Sequence, residues 1–350
     1  MAKTVFILGA GASVESGAPL MNNFLDTAQD LLNRGSFDKN PNERHSIFEI
    51  FQLISKLESI HSRAPIDLNN IESLFGLIEM GNIIGKIGHI DDSEKIKYYR
   101  DSLITLITRT LEESMEFKIN NEKYTTSSSY TSFCDYVKSY NKNNKSSIIT
   151  FNYDLGVDIG LQHQFGALNY CLKKDLNDSI KLLKLHGSIN WINREEGIDI
   201  IKSNVNYNNN ENYIRISNRK NLTDVPVIVP PTWNKSQYHG ELSNVWNSAA
   251  IELNSADNLV IIGFSIPETD TFFKYLLGLG LMNGQRIREI IVINKDDSIE
   301  IKDRYKNLFG IGINSRMKYV PLKFSDGINY LREKKDVEHF NLKIPYSFSN

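Results

Sequence analysis

The chain has 350 residues, a net charge of -2 and 41% hydrophobic residues, which suits one large domain or two modest ones with a core to match. Positive and negative side chains are interspersed, which argues against a nucleic-acid-binding surface as the main business of the protein. Its two cysteines, Cys134 and Cys171, exclude a four-thiolate zinc site and point to a reducing compartment rather than a disulfide framework.

The first residues, MAKTVFILGAGAS, superficially copy a signal peptide, but the apolar core Val5 to Leu8 is shorter than the usual h-region of about 7 to 15 residues. They read as a first strand, Thr4 to Leu8, running into a glycine turn. No apolar run reaches the roughly 18 to 20 residues of a membrane span. The expected location is cytoplasmic.

From Met21 to Leu32 the apolar positions Met21, Phe24, Leu25, Ala28, Leu31 and Leu32 fall at helical spacing. Positions 46–120 continue mostly helically, with little Pro or Gly, and read as a helical insertion of about 40–125 beside a sheet. Strand signals then return in series at Ser147 to Phe151, Val225 to Val229, Asn258 to Phe264, Glu289 to Asn294 and Lys318 to Leu322. Strands alternating with helices imply an α/β fold with a mostly parallel, Rossmann-like sheet. The continuous apolar runs VIIGF and IIVIN suit strands covered on both faces. The Asn-rich stretch 190–224 is expected to be a polar surface excursion. Positions 1–335 are read as a single domain, and 336–350 as a C-terminal tail.

Polar residues cluster just past several of these strands, where open α/β sheets bind ligands. Gly9, Gly11 and Ser13 follow the first strand, and glycines there let the backbone approach a pyrophosphate while the start of a following helix offers free N–H groups. Val14 stands at the third glycine position of the dinucleotide fingerprint, so a plain strand-to-helix turn stays open. Asn152 and Asp154 follow Phe151 and fit either a ligand site or a helix cap. His186 precedes Gly187, which leaves space beside the ring; it is either a satisfied structural residue or a proton acceptor near neutral pH. Gly263, Ser265 and Asn294 end two further strands.

Taken together, GAGAS…SGAP at 9–19, TFNYD at 150–154, KLHGS at 184–188, VPPTWNK at 229–235, GFSIPETD at 263–270 and VIN at 292–294 resemble the sirtuin superfamily. The resemblance is closer to the bacterial SIR2-like NAD-hydrolysing branch than to the protein deacylases. It implies that the loop Gly9, Ala10, Gly11, Ala12 and Ser13 binds the pyrophosphate of NAD+. It further implies that Asn152 holds the nicotinamide ribose, that His186 is the general base and that Asp154 supports the loop. Gly263, Ser265 and Asn294 would contact the adenosine half, with Gly187 beside the base. NAD+ would be the substrate, and no metal is expected.

Two cysteines cannot supply the zinc module of a protein deacylase, and Leu20-Met21-Asn22 stands where the family carries Asp-Phe-Arg. Both departures favour water as the acceptor. The resemblance implies an NAD+ glycohydrolase serving as an effector of antiphage defence by NAD+ depletion, in the manner of abortive infection. Control is expected from homo-oligomerisation, a regulatory or sensor protein partner or an activating ligand, with 46–120 as the interaction surface. A protein deacylase or ADP-ribosyltransferase, and a non-catalytic sensor of an NAD derivative, are the alternatives.

Overall fold

The computed structural model describes residues 2–115, 118–120, 123–173, 179–201, 225–229, 239–267, 271–282 and 287–341. The chain opens with β1 (Lys3–Leu8), α1 (Phe24–Asn33), α2 (Pro41–Leu57), α3 (Ile71–Ile84), α4 (Ser93–Ser114), β2 (Lys118–Asn120) and β3 (Lys123–Thr125). It continues with α5 (Ser128–Tyr140), β4 (Lys145–Thr150), α6 (Gly156–Phe165), β5 (Leu168–Asn169), β6 (Ile180–Lys184), β7 (Gly187–Arg194), β8 (Gly197–Ile200) and β9 (Pro226–Ile228). The last third holds α7 (His239–Asn254), β10 (Asn258–Ile262), α8 (Thr271–Gly280), β11 (Glu289–Ile293), α9 (Ile299–Leu308), α10 (Ile311–Asn314), β12 (Met317–Val320) and α11 (Phe324–Asn341).

Seven strands form one sheet in the order β12-β11-β10-β1-β4-β6-β5. Every neighbouring pair in it is parallel. The chain leaves β1 toward β4 and β6 on one side, then returns to lay β10, β11 and β12 on the other. This is a doubly wound, Rossmann-like α/β sheet, and its direction reverses beside β1, between β1 and β10.

Strand periodicity explains why both faces are covered. Val5 and Ile7 of β1, Leu259 and Ile261 of β10, and Ile290 and Val292 of β11 point into one core with α7, α8 and α9. Phe6 and Leu8, Val260 and Ile262, and Ile291 and Ile293 point into the opposite core with α5, α6 and α11. Successive residues thus serve opposite layers, and the strands read as unbroken apolar runs.

The crossover from β1 to β4 carries α1–α4, which pack on one another through a separate core that includes Ile47, Ile50, Leu74, Ile78, Leu103 and Ile107. This layer meets the sheet edge through Tyr153, Leu155, Ile189 and Ile228. The helices start where sequence chemistry directs: Asn40 accepts from the backbone N–H groups of Asn42 and Glu43 with Pro41 next in line, and Asn70 and Asp92 cap α3 and α4 in the same way. Inside the layer Arg109 is buried against the carboxylates of Glu112 at 2.6 Å, Glu113 at 3.1 Å and Glu43 at 3.2 Å.

Three sequence expectations change. Val225 to Val229 is a strand, but β9 pairs antiparallel with β7 in a separate three-stranded sheet with β8, outside the parallel sheet. The expected polar excursion starts inside this hairpin, because Asn190 to Arg194 is part of β7 and Gly197–Ile200 is β8. Positions 202–224 of that excursion, 230–235 of VPPTWNK and 268–270 of GFSIPETD lie outside the described residues. At the other end, α11 runs through position 336, where a tail was expected to begin, and positions 342–350 lie outside the described residues. Among the described residues no helix is long and apolar enough to cross a membrane.

Candidate functional site

A cavity of about 790 Å³ opens at the carboxyl ends of β1, β4, β6, β10 and β11. This is the edge of the sheet, and the point of strand reversal, at which open α/β folds bind ligands. Ala10, Gly11 and Ser13 line it from the loop after β1, Asn152 and Asp154 from the loop after β4, and His186 from the turn after β6. Gly263, Ser265 and Asn294 complete the far side from the ends of β10 and β11. Nine of the expected site residues therefore share one cavity.

Gly9, Ala12 and Gly187 are not among its lining residues. A Cβ at Gly9 would lie 2.5 Å from the Phe264 Cα, so this glycine permits the loop to rest on the end of β10. Ala12 is fully buried in the core on the α5–α11 side of the sheet. Gly187 has φ +82°, and a Cβ there would meet the Val227 carbonyl oxygen at 1.9 Å. Its smallness serves the close approach of β9 to the turn rather than ligand space.

The glycine loop differs from the expected phosphate cradle. No α-helix follows it directly: two short 3-10 turns, Ala10–Ala12 and Val14–Ser16, lead to Gly17 in the left-handed region. Helix α1 starts only at Phe24. Several loop N–H groups are also consumed, since Gly9 donates to Ile262 O, Gly11 to Gly263 O, Ala12 to Gly9 O and Ser13 to Ala10 O. The loop is therefore a rigid wall, docked on β10, more than a ring of free donors.

Ser13 is the hub that fixes this wall. Asn152 Nδ2 donates to Ser13 Oγ at 2.9 Å and to Gly9 O at 2.9 Å. Ser13 Oγ donates to Asp154 Oδ2 at 2.6 Å and lies 2.7 Å from the Tyr130 hydroxyl. A serine hydroxyl has one proton and two lone pairs. With its proton on Asp154 and one lone pair on Asn152, the remaining lone pair accepts from Tyr130. Asp154 Oδ1 meanwhile accepts the Gly156 N–H at 2.8 Å, a turn bond just ahead of α6, whose N-cap is Leu155. Asp154 thus orders the loop before the helix and sits in the cavity wall as well.

Burial pushes the Asp154 carboxyl above its ordinary range, against the opposing pull of the Lys184 ammonium and the Ser13 and Gly156 donors. The Tyr130 phenol is raised well above 10.0 by burial and by the Asp154 charge. Lys184, fully buried, donates to the Asp154 carbonyl oxygen and, at 2.9 Å, to Asp158 Oδ2. Asp158 Oδ1 accepts from the Tyr170 hydroxyl at 2.7 Å.

His186 is 4% exposed, its ring set edge-on to Phe151 with centroids 5.1 Å apart. Phe151 stacks on Phe264 at 4.4 Å, an aromatic floor between the ends of β4 and β10. The turn that carries His186 is pinned from three sides: Leu185 N donates to Thr150 O, Trp246 Nε1 to Leu185 O, and Val229 N to His186 O. The imidazole is thereby presented at the cavity by a rigid backbone.

Asn294 spends its side chain locally, donating to Phe264 O at 3.2 Å and accepting from Asp296 N at 3.1 Å. Sequence reasoning missed Tyr130, Lys184, Asp158 and the cavity-lining Asn70 and Glu72 of the helical layer. Lys184 had one signal, a charged residue directly before Leu185-His186 at the end of a strand whose burial pattern makes it inward-facing; Tyr130 and Glu72 had none.

No protein-family model matches the chain, and no curated protein matches it. Solved structures similar to it include a Sir2 homologue in complex with NAD, at TM-score 0.42 and 14% identity over 96% of this chain and 90% of that one. A Sir2 homologue mutant in complex with ADP-ribose matches at TM-score 0.42 and 15% identity, over 96% and 93%. A Sir2 in complex with an inhibitor, 2′-O-acetyl-ADP-ribose and a deacetylated peptide matches at TM-score 0.39 and 11% identity, over 95% and 94%. At these TM-scores the likenesses decide nothing about the site, whose chemistry rests on its own residues.

Proposed function

We propose that the protein is a SIR2-like NAD+ glycohydrolase, which splits NAD+ and water into nicotinamide, ADP-ribose and a proton. The observation that carries this reading is the convergence of Asn152 and His186, from adjacent strands, on the cavity closed by the Gly9–Ser13 loop. It joins the sequence resemblance to a site with the parts that the reaction needs.

Breaking the bond between the ribose C1′ and the nicotinamide nitrogen returns the bonding electron pair to that nitrogen, which leaves as a neutral base. Positive charge develops on the ribose, and water attacks C1′ while losing a proton. An amide can order ribose hydroxyls or the water, and an imidazole can accept the proton. Asn152 and His186 take these roles in the proposal. The donors of Asn152 point to Gly9 O and Ser13 Oγ, which leaves its carbonyl oxygen as the acceptor for a ribose hydroxyl or water. The Phe151–Phe264 pair offers an apolar wall for a ring.

Water as acceptor, rather than an acyl-lysine, rests on the two cysteines, too few for a four-Cys zinc module, and on Leu20-Met21-Asn22 in place of Asp-Phe-Arg. The role of antiphage effector, the cytoplasmic location, the homo-oligomer and the regulatory partner belong to the same proposal and rest on the motif resemblance.

The test is nicotinamide release from NAD+, followed by chromatography for wild type, Asn152→Ala and His186→Ala, with and without lysate from phage-infected cells. Release that both substitutions abolish in folded protein supports the hydrolase. Saturable NAD+ binding with no release under any condition supports a sensor instead, and NAD+-dependent modification of added protein supports a transferase or deacylase.

A further inference from the structure

We infer that Lys184 is a positioning residue that holds the two candidate catalytic loops at a fixed separation; its bearing on catalysis rests on the hydrolase reading above. The ladder between β4 and β6 runs Ile148↔Leu182, Ile149↔Leu183 and Thr150↔Lys184, and its last rung is the Leu185 N–H on Thr150 O. Beyond that rung the strands separate into the Asn152–Asp154 loop and the Leu185–His186 turn. Lys184 Nζ spans the gap, donating to the carbonyl oxygen of Asp154. It thus links a backbone atom two residues after Asn152 to a strand position two residues before His186.

The chemistry of this lysine is unlike that of a surface cation. Its side chain is 0% exposed and stands outside the cavity lining, so it does not touch a ligand. An ammonium taken wholly out of water needs compensation, and it receives it from Asp158 Oδ2 at 2.9 Å. Asp158 lies in the first turn of α6, the helix whose first N–H, that of Gly156, is held by Asp154 Oδ1. Tyr170 OH holds the other Asp158 oxygen, so the carboxylate itself is fixed. Strand β6, helix α6 and the loop of Asn152 are therefore tied at one buried nitrogen.

A neutral polar residue of shorter reach would leave the Asp154 carbonyl without this donor. The loop and the turn could then drift apart by fractions of an ångström, and a misplacement of about 1 Å can cost on the order of 100-fold in rate. Nucleotide affinity is expected to fall less than kcat, because the Gly11 N–H stays on Gly263 O and Phe151 stays stacked on Phe264.

Lys184→Met alone would bury an unpaired Asp158 carboxylate, so the informative variant is Lys184→Met with Asp158→Asn. Full-length wild type and double variant are compared by Tm, NAD+ affinity by calorimetry, kcat for nicotinamide release, and the imidazole resonances of His186 assigned with His186→Ala. The expected result is a Tm close to wild type, NAD+ Kd within about threefold, kcat down at least about tenfold and a shifted or broadened His186 signal. Unchanged kcat together with an unchanged His186 signal overturns the inference and leaves Lys184 a structural ion-pair partner only. If wild type releases no nicotinamide either with or without lysate from phage-infected cells, the hydrolase reading fails by itself. The His186 resonance then decides the positioning role: a shifted signal sustains it, and an unmoved one overturns it.

Discussion

Asn152 donates its side-chain amide to Ser13 Oγ across 2.9 Å, joining the loop after β4 to the loop after β1 in the wall of the cavity. The two residues are far apart in sequence, and this bond couples the position of one loop to that of the other. Asn152 is a ligand-facing candidate whose donors are already committed to holding the glycine loop.

Ser13→Ala is expected to remove the acceptor of both Asn152 and Tyr130 and the donor to Asp154, leaving buried polar groups unmet. The expected loss is about 1–3 kcal/mol in urea unfolding, with weaker NAD+ binding by calorimetry. A loss below about 0.5 kcal/mol, within the range of an inconsequential substitution, would show that Ser13 does not hold the loop.

Gly263→Ala and Gly166→Ala form a controlled pair. Both glycines have positive φ, +61° and +78°, but only at Gly263 would a Cβ strike backbone, 2.4 Å from Ala12 N and 2.5 Å from Gly11 C. Gly166→Ala should cost about 1–3 kcal/mol for its conformation alone, which lies outside the left-handed helical region at φ +78° and ψ -46°. Gly263→Ala should cost about 1–3 kcal/mol more and push the glycine loop off β10. Equal costs in parallel denaturation curves would refute the close packing of loop on strand.

Glu252 holds Lys3 at 2.7 Å and Lys181 at 2.8 Å. Burial alone would raise its carboxyl, yet hydrogen bonds from Lys181 and Lys3 outweigh it and hold the group below its ordinary 4.5. The unfolded chain therefore binds the proton first as pH falls, so the stabilisation is complete above about pH 4.5 and lost as pH drops through the folded value. Glu252→Gln should cost about 1–2 kcal/mol at pH 7, with the gap to wild type closing below that window. A gap that stays constant down to pH 3 would contradict the assignment.

Arg109→Met would leave the Glu43, Glu112 and Glu113 carboxylates buried without their cation. A loss of about 3–5 kcal/mol at pH 7 is expected. Urea unfolding of wild type and variant at pH 7 measures it, and a loss below about 0.5 kcal/mol would show that the cluster does not depend on the Arg109 charge.

Much of the architecture was legible in local pattern. The runs expected at Thr4 to Leu8, Asn258 to Phe264 and Glu289 to Asn294 hold the strands Lys3–Leu8, Asn258–Ile262 and Glu289–Ile293, because unbroken apolar sequence bounded by polar turns fits a sheet covered on both faces. The polar residues after them converge because parallel strands put all their carboxyl ends on one edge. Asn152 and His186 share the cavity for the same reason.

What sequence alone determined was the class of fold, the edge of the sheet at which the candidate site residues collect and the residue types presented there, since each follows from strand period and direction. Tertiary structure decided the rest. It placed β9 in an antiparallel sheet, because strand partners are chosen by long-range pairing that a run of β-formers does not specify. It turned Gly187 into a packing contact and committed the Asn152 amide to the glycine loop. It also brought Tyr130 to Ser13 and Lys184 to Asp154 and Asp158. Those groups lie in ordinary-looking helix and strand positions, and a hydrogen bond across layers leaves no period in the sequence that carries it.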